Sequence, residues 1–374
     1  MRIAIIGSRG IPPAYGGFET LAWELSARLA ARGHEVTAYA YRGRTDESRP
    51  LPPGVRRRFV PGFAGKHLET VSHTGVACVD ALRVGYDAVL LLNAANAIFA
   101  WLPRLRGTVV ALNVDGIERQ RAKWGLAGRL WYTLGERLAL VLPDAIVSDA
   151  DVIRDYYLDR YGKATERIAY GATLLDREPP PDLARHGLVG IEPGRYLLYV
   201  SRLEPENQAD LVIEAYRSVP GDVPLLIVGD APYADAYKTR LSALAGLDRR
   251  VRLTGGLYGE AYRDLQRGAM AYIHATSVGG THPALIEAMG AGNLVLTFAT
   301  PENDEVTAGM ALRFTSGDEL AALLRRVVAD PHEASLDDLR AAARARVAAV
   351  YSWDAVTDTY DALFLRLSGV TDRD

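Results

Sequence analysis

Cysteine is almost missing from this sequence: its 374 residues include one, Cys78. A single thiol excludes an internal disulfide and any cysteine-rich metal site, and it fits a reducing, cytoplasmic setting. No window reaches the roughly 18 consecutive apolar residues of a membrane-spanning helix. The opening MRIAIIGSRG does not read as a signal peptide, because its apolar run is short and passes straight into a glycine-rich turn. A surplus of one charge is missing too. The net charge is −3, and without a strong basic excess the chain lacks the footprint of a nucleic-acid binder. Fixed-period repeats and low-complexity tracts are also absent.

The charge that is present is unevenly spread. Residues 1–180 hold 24 Lys/Arg against 19 Asp/Glu, a net of +5, and the remainder holds 19 against 27, a net of −8. Two regions with different tasks would produce this asymmetry, and so would chance scatter of surface charge. Hydrophobic residues make up 49% and charged residues 24%, as in globular proteins. The length exceeds one ordinary core, so two domains are expected.

Apolar runs alternate with helical patterns. RIAIIG, HEVTAYAY, DAVLLLN, TVVALNV and DAIVSDA read as strands, and FETLAWELSARLAARG reads as a helix closed at Gly33. DREPPPDLARHGLVGIEPG, residues 176–194, breaks this rhythm and reads as an interdomain linker. The rhythm restarts with YLLYVSRL, VPLLIVGD, RVRLTGG, AYIHAT and NLVLTFA. The fold class is therefore α/β, with two doubly wound Rossmann-like domains facing a central cleft. Residues 1–180 form the first domain, 181–351 the second, and 352–374 a helix expected to pack back on the first. That helix shows apolar spacing at Trp353, Val356, Tyr360, Leu363 and Leu367, after an N-cap at Ser352.

In such sheets ligands bind beyond the carboxyl ends of the strands, so strand-end residues carry the functional reading. Gly7 and Gly10 do not supply the G-x-G-x-x-G of a dinucleotide enzyme. Gly16 and Gly17 stand at a helix start, where free N–H groups would face a phosphate; a plain glycine-rich turn fits equally. Arg202 follows a strand of the second half, where its guanidinium could neutralise a diphosphate, and Asn207 lies five residues on. Gly229 and Asp230 end the next strand, and Gly-Asp is also a common turn. TSVGGTHPALIEAMGAG, residues 276–292, reads as strand end, turn and helix. There the N–H groups of Gly279, Gly280, Thr281 and His282 could cradle an anion, and Glu287 could hold ribose hydroxyls. Asn93, Asn96, Asp115 and Glu118 follow strands of the first half. The segment ERQRAKWGLAGRLWYTLGERLA interleaves Arg119, Arg121, Lys123 and Arg129 with Trp124, Trp131 and Tyr132. It reads as a core-packed amphipathic helix, or as a surface for anionic lipid.

The stretches GSRGIPPAYGGFETLAWELSARLAARGHEV, NVDGIERQRAKW, SRLEPEN, SVGGTHPALIEAMGAG and YSWDAVTDTY together carry a family resemblance. The chain resembles the retaining glycosyltransferases of the GT-B fold, in the large family numbered four, and is most similar to a bacterial branch described as rhamnosyltransferase-like. The resemblance implies a nucleoside-diphosphate sugar donor, dTDP- or UDP-linked, a hydroxyl acceptor, front-face substitution, and neither a cofactor nor a catalytic metal. It implies donor binding by Gly16, Gly17, Arg202, Asn207, Gly229, Asp230, Gly279, Gly280, Thr281, His282 and Glu287. Arg202 and Asp115 would be catalytic, and Asn93, Asn96 and Glu118 would lie on the acceptor side. Two positions depart from the family pattern: Gly279 stands where the family has a Glu, and Asn207 where it has a Lys. Asp115 stands where the family commonly has a His. Thr281 and His282 are the expected replacements for the acid missing at 279. A sugar-nucleotide epimerase or hydrolase, or a non-catalytic sugar-nucleotide-binding protein, would use the same double domain. Peripheral contact with the inner face of a membrane fits the basic aromatic segment.

Overall fold

A computed structural model describes residues 1–13, 16–63, 69–120, 124–231 and 234–369. Arg121 and Lys123 therefore lie outside the described residues. The chain divides into two compact units, Met1–Gly171 with Trp353–Asp374, and Ala172–Ser352.

The first unit carries a parallel sheet of β1 (Arg2–Ile6), β2 (Glu35–Ala40), β3 (Val55–Phe59), β4 (Ala88–Leu92), β5 (Val109–Asn113), β6 (Ala145–Ser148) and β7 (Glu166–Arg167). Its order is β3-β2-β1-β4-β5-β6-β7. β1 and β4 are buried almost throughout, because helices cover both faces and an apolar run is stable only there. β3 (VRRRF) was not legible as a strand. It forms the sheet edge, where charged side chains are tolerated and discourage pairing with other chains. Arg57 turns its guanidinium onto the carbonyls of Ile11, Asp46 and Glu47.

The Trp353–Ser368 helix belongs to this unit, with Trp353, Val356, Tyr360, Leu363 and Phe364 buried and Leu367 half-buried. Its acidic side meets the end of the Gly17–Ala31 helix: Arg28 faces Asp354, and Arg32 faces Asp358 and Asp361. Tyr360 OH accepts from Asn113 Nδ2 at 2.9 Å, joining the helix to the end of β5.

The second unit carries β8 (Leu197–Val200), β9 (Leu225–Val228), β10 (Val251–Gly255), β11 (Ala271–His274), β12 (Leu294–Phe298) and β13 (Leu312–Phe314). They are all parallel, in the order β10-β9-β8-β11-β12-β13. The strands of both sheets follow the doubly wound pattern expected from the alternating runs.

The boundary between the units falls at 171/172, ahead of the proline-rich stretch rather than within it. That stretch is bound into the second unit by its own polar groups. Arg177 donates to Ala269 O at 2.6 Å and to Asn293 Oδ1 at 3.0 Å, and Gly194 N donates to Gly268 O at 2.7 Å.

Candidate functional site

In the second sheet the direction of winding reverses between β8 and β11, and the turns leaving these neighbours form the first cluster. β8 leads through Ser201-Arg202 into a short helical turn, Pro205–Asn207. Asn207 is buried. Its Nδ2 donates to Arg202 O at 2.7 Å, and its carbonyl accepts from Tyr199 OH at 2.6 Å, so its amide closes the turn that carries the Arg. The Arg202 guanidinium stays partly exposed, 3.8 Å from a Glu204 carboxylate oxygen.

The turn after β11 is stitched to this one. Ser277 donates to Glu206 O through both its N–H, at 3.0 Å, and its Oγ, at 2.9 Å. Gln208 Nε2 donates to Ala275 O at 3.0 Å. Gly279, Gly280, Thr281 and His282 therefore sit on the loop bound to the Arg202 turn, directly ahead of the Pro283–Gly290 helix. His282 is the N-cap residue, Pro283 occupies the first helical position, and the first turn contains no acid. Pro283 has no N–H and Leu285 N donates to His282 O at 2.9 Å, so it is the positive end of the dipole at this helix start that favours an anion.

The loop's shape depends on Asn303, which sequence reasoning missed. Asn303 is fully buried, and its Nδ2 donates to Thr276 O at 3.0 Å and to Phe298 O at 2.8 Å. With both amide hydrogens engaged, its Oδ1 accepts, and the partner is His282 Nδ1 at 3.0 Å. The proton of a neutral His282 therefore lies on Nδ1. Its Nε2 lies against Gly279: a Cβ added there would stand 2.3 Å from that nitrogen. The imidazole thus fills the space in which any side chain at 279 would begin. The glycine at 279 and the histidine at 282 are one steric fact.

His274, at the end of β11, lies under this loop with its ring 4.7 Å from that of His282. Burial, and then the neighbouring imidazole, hold its pKa well below the usual histidine range. Its Nε2 is buried without a hydrogen-bond partner among the described residues. Glu287, along the helix, accepts from Tyr262 OH at 2.6 Å. Burial, and then the Glu287 charge, drive the Tyr262 phenol upward, so it remains a donor.

Gly229 ends β9 at φ 147°, where a Cβ would stand 1.8 Å from Ser201 O; only glycine allows β9 to end this close to the Arg202 turn. Asp230 accepts from Lys238 Nζ at 3.0 Å and from Ala231 N at 2.8 Å. The lysine first, with the backbone N–H, holds its carboxyl below the usual range.

The first unit presents a second strand-end cluster. Gly16 caps the Gly17–Ala31 helix in extended conformation, and the first turn contains an acid, Glu19. Glu19 is buried and accepts from Arg9 N at 2.8 Å. Asn93, at φ 75°, caps the Ala94–Phe99 turn through Oδ1, which accepts from Ala95 N at 2.9 Å. Asn96 is fully buried; Nδ2 donates to Leu92 O at 2.7 Å, and Oδ1 has no hydrogen-bond partner among the described residues. Asp115, at φ 55°, donates its N–H to Asn113 Oδ1 at 3.0 Å and receives Tyr170 OH at 3.5 Å. Glu118 is buried and accepts from Trp124 Nε1 at 3.3 Å. Asn113 supports both Asp115 and the C-terminal helix, a role its place in ALNVDG does not reveal. Asn303 was hidden for a similar reason. TPEND announces a helix start, but no local spacing links it to a histidine 21 residues away.

Residues 188–346 match the family described as "Glycosyl transferases group 1", and residues 16–171 match "Glycosyl transferase 4-like domain". A D-inositol 3-phosphate glycosyltransferase from Geodermatophilus obscurus is 25% identical, over 93% of this chain and 84% of that protein. Among solved structures, sucrose-phosphate synthase from Thermosynechococcus elongatus superposes with a TM-score of 0.81, at 21% identity, over 99% of this chain and 100% of that one. HepE from Anabaena, in complex with UDP and glucose, gives a TM-score of 0.76 at 15% identity, over 97% and 98% of the two chains. With successive family matches spanning most of its length and two Rossmann-like sheets, the chain is a group 1 glycosyltransferase of the GT-B fold, in the retaining family four, and depends on a nucleotide-sugar donor.

Proposed function

We propose that the chain transfers rhamnose or a hexose from a dTDP- or UDP-linked donor to a hydroxyl of a glycan, lipid-linked or small-molecule acceptor, with retention at the anomeric carbon. The observation that carries this reading is the stitching of the Arg202 turn to the Gly279–His282 loop at one switch point. It puts a guanidinium and an acid-free helix start at the ends of neighbouring strands. A diphosphate carries the charge that both would hold. Glu287 would accept from the ribose hydroxyls. HepE, of the same fold, binds UDP and glucose, which supports a uridine donor.

In the reaction the acceptor oxygen bonds to the anomeric carbon on the face the phosphate leaves. The bond from that carbon to the phosphate oxygen breaks, and the hydroxyl proton passes to the departing phosphate. Arg202 counters the charge growing on the leaving group, the kind of electrostatic assistance that lowers such barriers most. This scheme needs no divalent metal. Asp115 and Glu118, with the Asn93–Asn96 turn behind them, would take the acceptor hydroxyl and its surroundings. The Thr281 and His282 loop, rather than an acid at 279, would set which sugar is accepted. The single, buried Cys78, its thiol pushed up to about 12 by burial, supports a reducing cytoplasmic setting.

Calorimetry with UDP and dTDP tests the donor site, and a chain that binds neither sinks the reading. Incubation with UDP-glucose or dTDP-rhamnose alone separates the alternatives. Rapid release of free sugar or an epimer without an acceptor would favour a hydrolase or epimerase. Retained donor that turns over only with an acceptor, in EDTA as in buffer, is the expected result.

A further inference from the structure

The Leu126–Ala139 helix of the first unit is turned inside out for a surface helix. Its buried side holds Tyr132, Gly135, Glu136 and Ala139. Glu136 is satisfied there by Arg119, Tyr156 and Tyr161. Its solvent side holds Leu126, Leu130 and Leu134, 77%, 62% and 44% exposed, and Val141 continues the row at 68%. Spacings of four, four and seven residues keep these side chains on one face. An ordinary surface helix would place polar groups there. Two of the aromatic residues singled out from the sequence do not make this face: Tyr132 is buried, and Trp124 packs against it with centroids 5.0 Å apart and rings tilted at 50°.

The cations on this surface are Arg129 and Arg137. Both are exposed, and neither forms an ion pair among the described residues. Leucines with interspersed arginines, on a helix lying along the protein surface, are the chemistry of an interfacial helix. The aliphatic groups enter the headgroup boundary, and the guanidinium groups meet lipid phosphates. A symmetric second copy suits the face less well, because self-pairing brings each arginine cluster towards its own duplicate. The positive balance of residues 1–180 adds to the complementarity with an anionic surface. Among the described residues no helix is long and apolar enough to cross a membrane, so such contact would be peripheral.

We infer that the Leu126–Ala139 helix docks this chain on the surface of an anionic bilayer. Its buried side explains what docking would accomplish. A Cβ at Gly135 would stand 2.5 Å from Ala94 O, so the helix lies directly on the turn that Asn93 caps and Asn96 anchors. Docking brings this strand end to the headgroup layer. If these residues take the acceptor, as in the glycosyl-transfer reading, a lipid-borne acceptor is then presented where it is needed.

The test is cosedimentation of the full chain with vesicles of equal phosphatidylglycerol and phosphatidylcholine, and with phosphatidylcholine alone. The wild type should pellet with the mixed vesicles only. Leu126→Ser/Leu130→Ser/Leu134→Ser, all at exposed positions, should lower partitioning by at least about tenfold at an unchanged melting temperature. Arg129→Gln/Arg137→Gln should lower it by roughly fivefold per charge and weaken its salt dependence. Equal pelleting of the wild type and the leucine variant would overturn the inference. So would a dimer, seen by sedimentation equilibrium, that the leucine variant converts to monomer, because the face would then belong to a second copy. UDP binding measured in parallel keeps the two readings apart. A wild type that binds UDP but ignores the mixed vesicles overturns docking alone, and one that docks but binds no nucleotide overturns the donor site alone.

Discussion

The helix after β1 and the helix after β11 both start beside paired glycines, Gly16-Gly17 and Gly279-Gly280, yet they are different objects. The first contains Glu19 in its opening turn, and that buried carboxylate already answers a backbone N–H of the β1 loop. The second has no acid in its opening turn, and its loop is tied to the turn of a partly exposed arginine. A glycine pair ahead of a helix therefore does not define an anion site. What separates the two is the carboxylate three residues into one helix and the guanidinium on the turn tied to the other. The two clusters also spend their amide side chains differently. Asn93, Asn96 and Asn113 hold backbone and helix in the first unit, whereas Asn303 and Asn207 hold the loops from which Arg202 and the helix start emerge.

The contrast can be broken at its strongest point, Asn303. Asn303→Ala leaves the carbonyls of Thr276 and Phe298 and the His282 ring without their partner. It should cost about 4 kcal/mol by denaturant unfolding, since each buried group left unsatisfied costs ~1–3 kcal/mol. A cost within error of zero would show that the loop is held by something else. Next is Arg202→Ala, which should reduce donor turnover by roughly a hundredfold or more, as loss of a transition-state charge partner does. An unchanged rate would remove Arg202 from the chemistry.

Gly279→Ala follows, at about 2 kcal/mol of lost stability, because the new methyl must displace the His282 ring. In a His282→Ala background the same change should cost less than about 0.5 kcal/mol, and a purely additive cycle would disprove the steric coupling. The unit 1 counterpart, Gly16→Ala, faces Glu19 Oε2 at 3.2 Å in an extended conformation open to any residue. About 0.5 kcal/mol, with donor affinity unchanged, is expected there. Donor binding that collapsed in Gly16→Ala would equate the two glycine pairs and dissolve the comparison.

His274 gives a pH signature between these last two in size. Its pKa in the folded protein lies well below the usual 6.5, so the unfolded chain takes up the proton first as the pH falls. The stabilisation is complete above the unfolded pKa and is lost as the pH drops towards the folded one. Acidification from about pH 7 to about pH 5.5 should therefore remove roughly 1 kcal/mol through this residue. His274→Gln should flatten that part of the stability profile, and parallel profiles for variant and wild type would contradict a buried neutral His274.

Much of the fold was legible because long apolar strands at regular spacing have few stable arrangements other than covered parallel sheets. The strands missed were those whose composition answers to position, such as the arginine-bearing edge strand β3 and the short β7 and β13. The site was legible as far as residue type and strand end define it. Arg202, Asn207, Gly229 and Asp230 follow strands where the run lengths put them, and Glu287 lies on the helix expected after a strand. Hidden were the links between distant residues. The seven hydrogen-bonding atoms that join Ser277 to Glu206, Gln208 to Ala275 and Asn303 to His282 come from separate segments, and periodicity carries no record of such pairs.

By itself, then, the sequence determined two doubly wound units, the strand ends at which polar residues emerge, and the absence of an acid at 279, because each follows from the order of residues along one segment. Only the tertiary structure decided that His282 occupies the space of that acid, that Asn303 sets its tautomer, and that Leu126, Leu130 and Leu134 face outward rather than into the core. Each of these depends on which surfaces of separate segments are brought within a few ångströms of each other. Packing fixes that, and local pattern does not.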